Sequence, residues 1–249
     1  MANREKVKEQ YRDDKHIHYH ESQFGEAKRS TLSLMEFVKK TLIPDLPYSA
    51  IDVGCGAGAN IYHLSNVLGR TKWIGLDYAD NFFPIGKIFL NDSDKVKFVK
   101  GDFYKLGRLF PQKSFDISFS IQTLSWLPNY VEAMKEIFFI TKRIIFVTSL
   151  FSDFNVDAFI DIYEYEEDLS QTEDSPYNYN VYSLEKFKEF CIENGAADVI
   201  AEDFIMDVDL VKPDSNTMGT YTIKKNDGQN MQFSGPLFLP WKMIAIRLE

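Results

Sequence analysis

The chain has 249 residues, 45% hydrophobic and 26% charged, which fits one α/β domain of ordinary size with a substantial core. Its formal net charge of −9 argues against DNA or RNA as a substrate, because neutralising phosphates takes a basic surface. No apolar run approaches the roughly 20 residues that cross a bilayer, and the charged start M-A-N-R-E-K has no apolar signal core, so a cytoplasmic protein with no membrane partner is expected.

Residues 1–29 are charged and contain H-I-H-Y-H, which sets His16, His18 and His20 on one face if the segment is extended. No cluster with metal-ligand spacing accompanies them, so no metal is assigned and the segment reads as an exposed arm. Thr31 to Leu42 reads as a helix with Leu32, Met35, Val38 and Leu42 on one side, stopped by Pro44.

Ser49 to Ala59, S-A-I-D-V-G-C-G-A-G-A, follows as strand, tight turn and a helix beginning near Ala57, with Asn60, Ile61, Leu64 and Leu68 in helical rhythm. Glycine tolerates positive φ and has no Cβ to keep a ligand off the backbone, so the turn is expected to hold a small ligand with an anionic group at the helix start. Gly54, Gly56 and Ala59 also satisfy the dinucleotide pattern, which keeps an NAD-dependent oxidoreductase in view. Asp52 speaks for a different ligand: two residues before the first glycine it crowds a pyrophosphate and suits an ammonium group. Of the two cysteines, Cys55 lies in this turn and Cys191 in a predicted helix, which argues against a structural disulfide.

Lys72 to Leu76 is a second strand, ending at Asp77. Asp80 and Asn81 are expected to cap a helix through Leu90 that carries Pro84 in its first turn. Val96 to Val99 is a third strand, with Asp102 after Gly101, and Phe115 to Ile121 a fourth. Q-T-L-S-W-L-P-N leads into a helix whose apolar face is Val131, Met134, Ile137 and Phe138, and Arg143 to Ser149 is a fifth strand, apolar throughout its centre. Strands alternating with helices give a doubly wound sheet, whose ligands lie beyond the carboxyl ends of the strands.

D-V-G-C-G-A-G, I-G-L-D-Y, K-G-D-F and F-D-I-S-F-S resemble, in order and spacing, the successive motifs of the class I S-adenosylmethionine-dependent methyltransferases, over Ser49 to Ser149. The resemblance implies S-adenosyl-L-methionine as cofactor and a Rossmann-like, seven-stranded, mostly parallel sheet with an antiparallel last hairpin. It places Asp52, Gly54, Cys55, Gly56 and Gly58 around the cofactor's turn. Asp77 is expected on the ribose hydroxyls, Tyr78 against the adenine, Asp102 on the adenine amine and Phe103 beside the ring. Ser120 and Ile121 stand at the end of strand four. There the N/D-P-P-Y/F motif of adenine-N6 and glutamine methylation is absent, which removes those substrates. The histidine that often precedes the tryptophan of W-L-P is replaced by Ser125, which leaves the base open; Tyr11, Tyr19, Gln122, Ser125 and Trp126 are the candidates around the acceptor. A similar tyrosine-bearing arm folds over the acceptor in enzymes acting on nucleotide-linked sugars. The expected acceptor is therefore a small polar molecule such as a sugar, a nucleotide-sugar or a related intermediate. A catalytically silent, cofactor-binding subunit is the rival of another class, and the oligomeric state stays open.

Nine acids and no lysine or arginine lie between Leu150 and Tyr182. Phe154, Ala158, Ile162, Tyr165 and Leu169 recur at helical spacing, so the segment is expected to begin as an amphipathic helix and finish as loop. Its tyrosines (Tyr163, Tyr165, Tyr177, Tyr179, Tyr182) offer an acceptor wall, against the blander reading of a solvated acidic face. Ser183 caps a helix through Leu184, Phe187, Phe190 and Cys191 that Asn194-Gly195 ends. Strands follow at 197–208, 219–224, 229–234 and 241–248, with N-D-G at 226–228 as a hairpin turn. The whole reads as one domain: arm and first helix 1–45, cofactor core 46–150, and insertions 151–182 and 207–240 that join the arm around one acceptor cavity.

Overall fold

The computed structural model describes residues 14–44, 46–90, 94–165, 168, 170, 176–214 and 218–248, with side chains from Ile17 onward. Helices α1 (Asp14–Ser22) and α2 (Arg29–Thr41) come first. The histidine segment is thus helical rather than extended. A helix turns about 100° per residue, so positions 16 and 20, four apart, share a face and position 18 falls on the opposite side. In α2 the buried stripe is Leu34, Phe37 and Val38, while Leu32 from the expected stripe faces solvent.

Strands β1 (Ser49–Val53), β2 (Lys72–Asp77), β3 (Val96–Lys100) and β4 (Phe115–Ile121) are parallel, and β5 (Thr141–Ser152) continues the series beside β4. The last strand, β13 (Trp241–Arg247), enters antiparallel between β5 and β9 (Asp198–Asp203), giving the order β3-β2-β1-β4-β5-β13-β9. The order in which successive strands are added therefore reverses at β1, and the crevice between β1 and β4 is where such a sheet holds ligands.

Alternation along the buried strands builds two cores. Ile144 and Phe146 face α2 and α3 (Ala59–Leu64), joining Leu34, Phe37, Ile61 and Leu64. Ile145 and Val147 face α5 (Val131–Ile140) and α6 (Leu184–Glu193), joining Met134, Ile137 and Phe187. Phe119 and Phe146 stack at 5.2 Å between centroids. Cutting either ring back to Ala costs about 3–5 kcal/mol.

Some local expectations fail. Helix α3 starts at Ala59, not near Ala57, and its six residues end at Leu64. Helix α4 (Phe83–Phe89) has Phe82 at its N-cap with no side-chain cap bond; Asp80 instead pairs with Lys100 at 2.7 Å. The helix expected after Phe151 is absent. That stretch holds β6 (Asp161–Ile162) and β7 (Tyr177–Asn178) as an antiparallel pair, with a bridge from Ala158 to Val181. Phe154 is exposed, and Leu169 lies outside the described residues. Short β8 (Tyr182–Ser183) then runs parallel beside the end of β5 as an eighth strand of the sheet.

Ser183 caps α6 as its sequence requires, accepting the Lys186 N–H. The 204–240 excursion folds as its own three-stranded sheet of β10 (Thr220–Lys224), β11 (Asn230–Ser234) and β12 (Leu237–Phe238), turned at Gly228 with φ +83°. Among the described residues no helix is long and apolar enough to cross a membrane.

Candidate functional site

The turn after β1 folds back onto β2. Gly54 and Cys55 both donate backbone N–H bonds to the Leu76 carbonyl, at 2.8 and 3.1 Å. Gly54 and Gly56 hold φ of +84° and +53°, a region that L side chains rarely adopt. A Cβ on Gly54 would stand 2.5 Å from the Thr123 hydroxyl, so the missing side chain lets the turn close on the end of β4. Gly56 donates to an Asp77 carboxylate oxygen at 2.8 Å, and the other oxygen accepts the Ala79 N–H at 2.9 Å. The carboxylate at the end of β2 thus fixes the middle of the turn.

Beneath the turn lies Asp52, fully buried on β1, with neither carboxylate oxygen hydrogen-bonded. Burial first, then the neighbouring Asp77 charge, push its pKa up to about 8. A buried carboxylate with no partner is a costly group to keep. Ser120 on β4 is likewise fully buried with an unpartnered hydroxyl.

Above the turn is a cavity of about 770 Å³. Its floor is the glycine turn and the end of β4, where Gln122 takes φ +56° while its N–H donates to the Thr148 carbonyl and hydroxyl. A non-glycine residue in this region marks strain that the surroundings must hold, as functional sites often do. One wall is the arm, including Tyr19, His20 and Lys28. A second is aromatic: Trp126 stacks on Tyr177 with centroids 5.2 Å apart, and Tyr179 stands equally close. The third is the 204–241 excursion, with Phe204, Met206, Met218, Leu239 and Trp241.

Residues 51–143 match the family model described as a methyltransferase domain, a stretch that contains the turn, Asp77, Asp102 and Trp126. That stretch is similar to the methyltransferase domain of class I, S-adenosylmethionine-dependent enzymes. The chain is 33% identical over 97 residues to sterol 24-C-methyltransferase of Pneumocystis carinii, covering 38% of this chain and 25% of that one. It is 34% identical over 97 residues to demethylmenaquinone methyltransferase of Lactococcus lactis, covering 38% of each. The match thus spans a quarter to two fifths of those relatives. In fold it is similar to phosphoethanolamine N-methyltransferase 2 of Haemonchus contortus solved with S-adenosyl-L-methionine. The TM-score is 0.59 at 16% identity, over 82% of this chain and 46% of that one.

The methyltransferase turn gathers several of the anticipated residues. Gly54, Cys55, Gly56, Ile121, Gln122 and Trp126 line the cavity with Tyr19. Asp52, Gly58, Asp77, Tyr78, Asp102, Phe103 and Ser120 lie outside its lining, around the turn and the ends of β2 to β4. Asp102 caps the short helix after β3, accepting the Tyr104 N–H at 3.0 Å, and pairs with Lys105 at 3.1 Å. Phe103 is buried in the core.

Ser125, a candidate around the acceptor, does not face the cavity. It is fully buried, its hydroxyl is 2.6 Å from the Ser149 hydroxyl, and it does not line the cavity. Of the five tyrosines expected in one wall, only Tyr177 and Tyr179 reach the cavity. Tyr163 and Tyr165 are exposed and off the lining, and Tyr182 is a core residue donating to the Leu124 carbonyl at 3.1 Å. Tyr11 lies outside the described residues. Sequence reasoning missed Lys28, and it named no individual residue of the 207–240 insertion that it expected around the cavity. Lys28 has no motif around it, and Met218 sits outside any expected strand.

Proposed function

We propose that the protein transfers a methyl group from S-adenosylmethionine to a small molecule held in the cavity between the arm, Trp126 and the 204–241 excursion. The observation that carries this reading is the position of the cavity: its floor is the glycine turn itself, at the β1–β4 crevice. The residues fit the cofactor. The turn presents backbone without Cβ at Gly54 and Gly56, and Asp52 is an orphaned buried carboxylate under it that a cationic ligand would stabilise as the anion.

When bound, the cofactor supplies an already activated methyl on a sulfonium, so the protein's own task is alignment and exclusion of water. Gln122, held in a strained backbone state, and Trp126 set the acceptor's edge at the end of β4. The arm covers the same opening and is anchored by Phe24, which stacks on Phe89 at 4.4 Å. The proton of a hydroxyl or ammonium acceptor needs a base. Tyr19, whose hydroxyl lies 2.6 Å from the Lys28 ammonium, gives the acceptor side of the cavity a polar edge.

The sugar or nucleotide-sugar anticipated from the tyrosine arm would meet amide side chains here, those of Gln23, Asn60, Gln122 and Gln232. Among the described residues no aspartate or glutamate lines the cavity, so amide and hydroxyl oxygens are the side-chain acceptors on offer. The test is cofactor-dependent methyl incorporation across a metabolite library. Wild type should label an acceptor, and Trp126→Ala should lose most of that turnover while binding S-adenosylhomocysteine normally. A library with no labelled member, from protein that binds S-adenosylhomocysteine, would favour a silent cofactor-binding role.

A further inference from the structure

The chain is strongly acidic, yet among the described residues its cavity is lined by no aspartate or glutamate and by two cations, Lys28 and Arg29. The two differ. Arg29 lies 3.5 Å from the Asp207 carboxylate, which neutralises it at the rim. Lys28 has no carboxylate partner among the described residues; its ammonium meets only Tyr19, donating to the hydroxyl at 2.6 Å and lying 4.6 Å from the ring centroid. An ammonium left without a counter-ion at the edge of an apolar enclosure is a site for an anion.

Across from Lys28 the surroundings change character. The Trp126–Tyr177 stack gives a flat aromatic face, and Met206, Met218 and Leu239 give a deformable apolar one. A fully polar acceptor would leave these surfaces dry and unmatched, and a wholly apolar one would strip water from the ammonium without replacing it.

Resting on the methyltransferase reading above, we propose that the acceptor is an amphipathic monocarboxylate. Its apolar, preferably aromatic, body lies against Trp126 and the 204–241 wall. Its carboxylate is held by the Lys28 ammonium and the Tyr19 hydroxyl. One unneutralised cation matches one negative charge, which favours a carboxylate over a phosphate dianion.

Three probes with one body and different heads test this: 4-phenylbutyrate, 4-phenylbutanol and 4-phenylbutylamine. Each is titrated into the full chain saturated with S-adenosylhomocysteine and followed by calorimetry. Wild type should bind the acid at least tenfold more tightly than the alcohol, and the amine more weakly still. Lys28→Met should bring the acid down to the level of the alcohol and leave the alcohol unchanged, with an unaltered melting temperature showing that the fold is intact. An amine bound as well as the acid, or an acid preference that survives Lys28→Met, overturns the carboxylate assignment. Failure of all three to bind overturns the apolar body. Titration of S-adenosylhomocysteine alone separates the two readings. Its failure sinks the cofactor assignment whatever the probes do, whereas its success with failed probes sinks only the acceptor class.

Discussion

The imidazole of His20 lies against Gly56: a Cβ on the glycine would stand 3.3 Å from the His20 Cε1 atom. His20 also packs on Phe82 with ring centroids 3.9 Å apart, so the arm is seated on the turn that forms the cavity floor. Gly56→Val puts a branched side chain into this contact at φ +53°. The backbone strain alone costs about 1–3 kcal/mol. The variant is expected to fold, melt at lower temperature and lose binding of S-adenosylhomocysteine in calorimetry. Normal affinity would show that the turn does not touch the cofactor.

Asp77→Ala leaves the Gly56 and Ala79 N–H groups without their acceptor. Each loss costs about 1–3 kcal/mol if the donor stays buried. Stability and S-adenosylhomocysteine affinity should both fall, while Asp77→Asn, which keeps one acceptor oxygen, should recover part of each. A loss of stability with unchanged affinity would restrict Asp77 to holding the turn.

Asp52 gives a pH signature. Its folded pKa is raised to about 8, above that of an unfolded carboxyl group. Across that interval the folded protein keeps a proton that the unfolded chain has released. Stability should therefore fall as pH rises from about 4 to 8 and level off above. Each pH unit in the window carries up to about 1.4 kcal/mol. Asp52→Asn should flatten the profile and raise the melting temperature at pH 8. A flat wild-type profile would mean that the carboxylate finds a partner in solution.

Deleting residues 1–20 removes Tyr19 and His20 but spares the anchor, since Phe24 stays on Phe89 and the Gln23 carbonyl stays 2.8 Å from the His63 ring nitrogen. Stability should change by about 1 kcal/mol or less, as for a lightly tied terminus. Turnover should fall at least about tenfold through lost enclosure. Unchanged turnover would leave the arm as packing.

The core of the fold was legible because its strands are buried on both faces and punctuated by glycine. Phe115–Ile121 appears to the residue, and the final antiparallel pair lies where expected. The stretch after Phe151 misled through its spacing. Phe154, Ala158 and Ile162 recur at helical intervals, but Ile162 pairs with Tyr177 and Ala158 with Val181. Two-residue strands have no period to read, and partners 15 and 23 positions apart leave no local mark. At the site, the glycines and Asp77 announce themselves by type and position. Ser125 did not reveal its burial, which depends on Ser149 across the sheet. The Lys28–Tyr19 contact depends on the connection between α1 and α2, which an exposed arm read from sequence does not specify.

The central claim is that the glycine turn and the cavity above it serve S-adenosylmethionine chemistry. Calorimetric titration of S-adenosylhomocysteine into the full chain tests it most directly, with NAD titrated in parallel. A single saturable site for S-adenosylhomocysteine, absent in Gly56→Val and with no heat from NAD, is the predicted result. Saturable NAD binding with none for S-adenosylhomocysteine would contradict it.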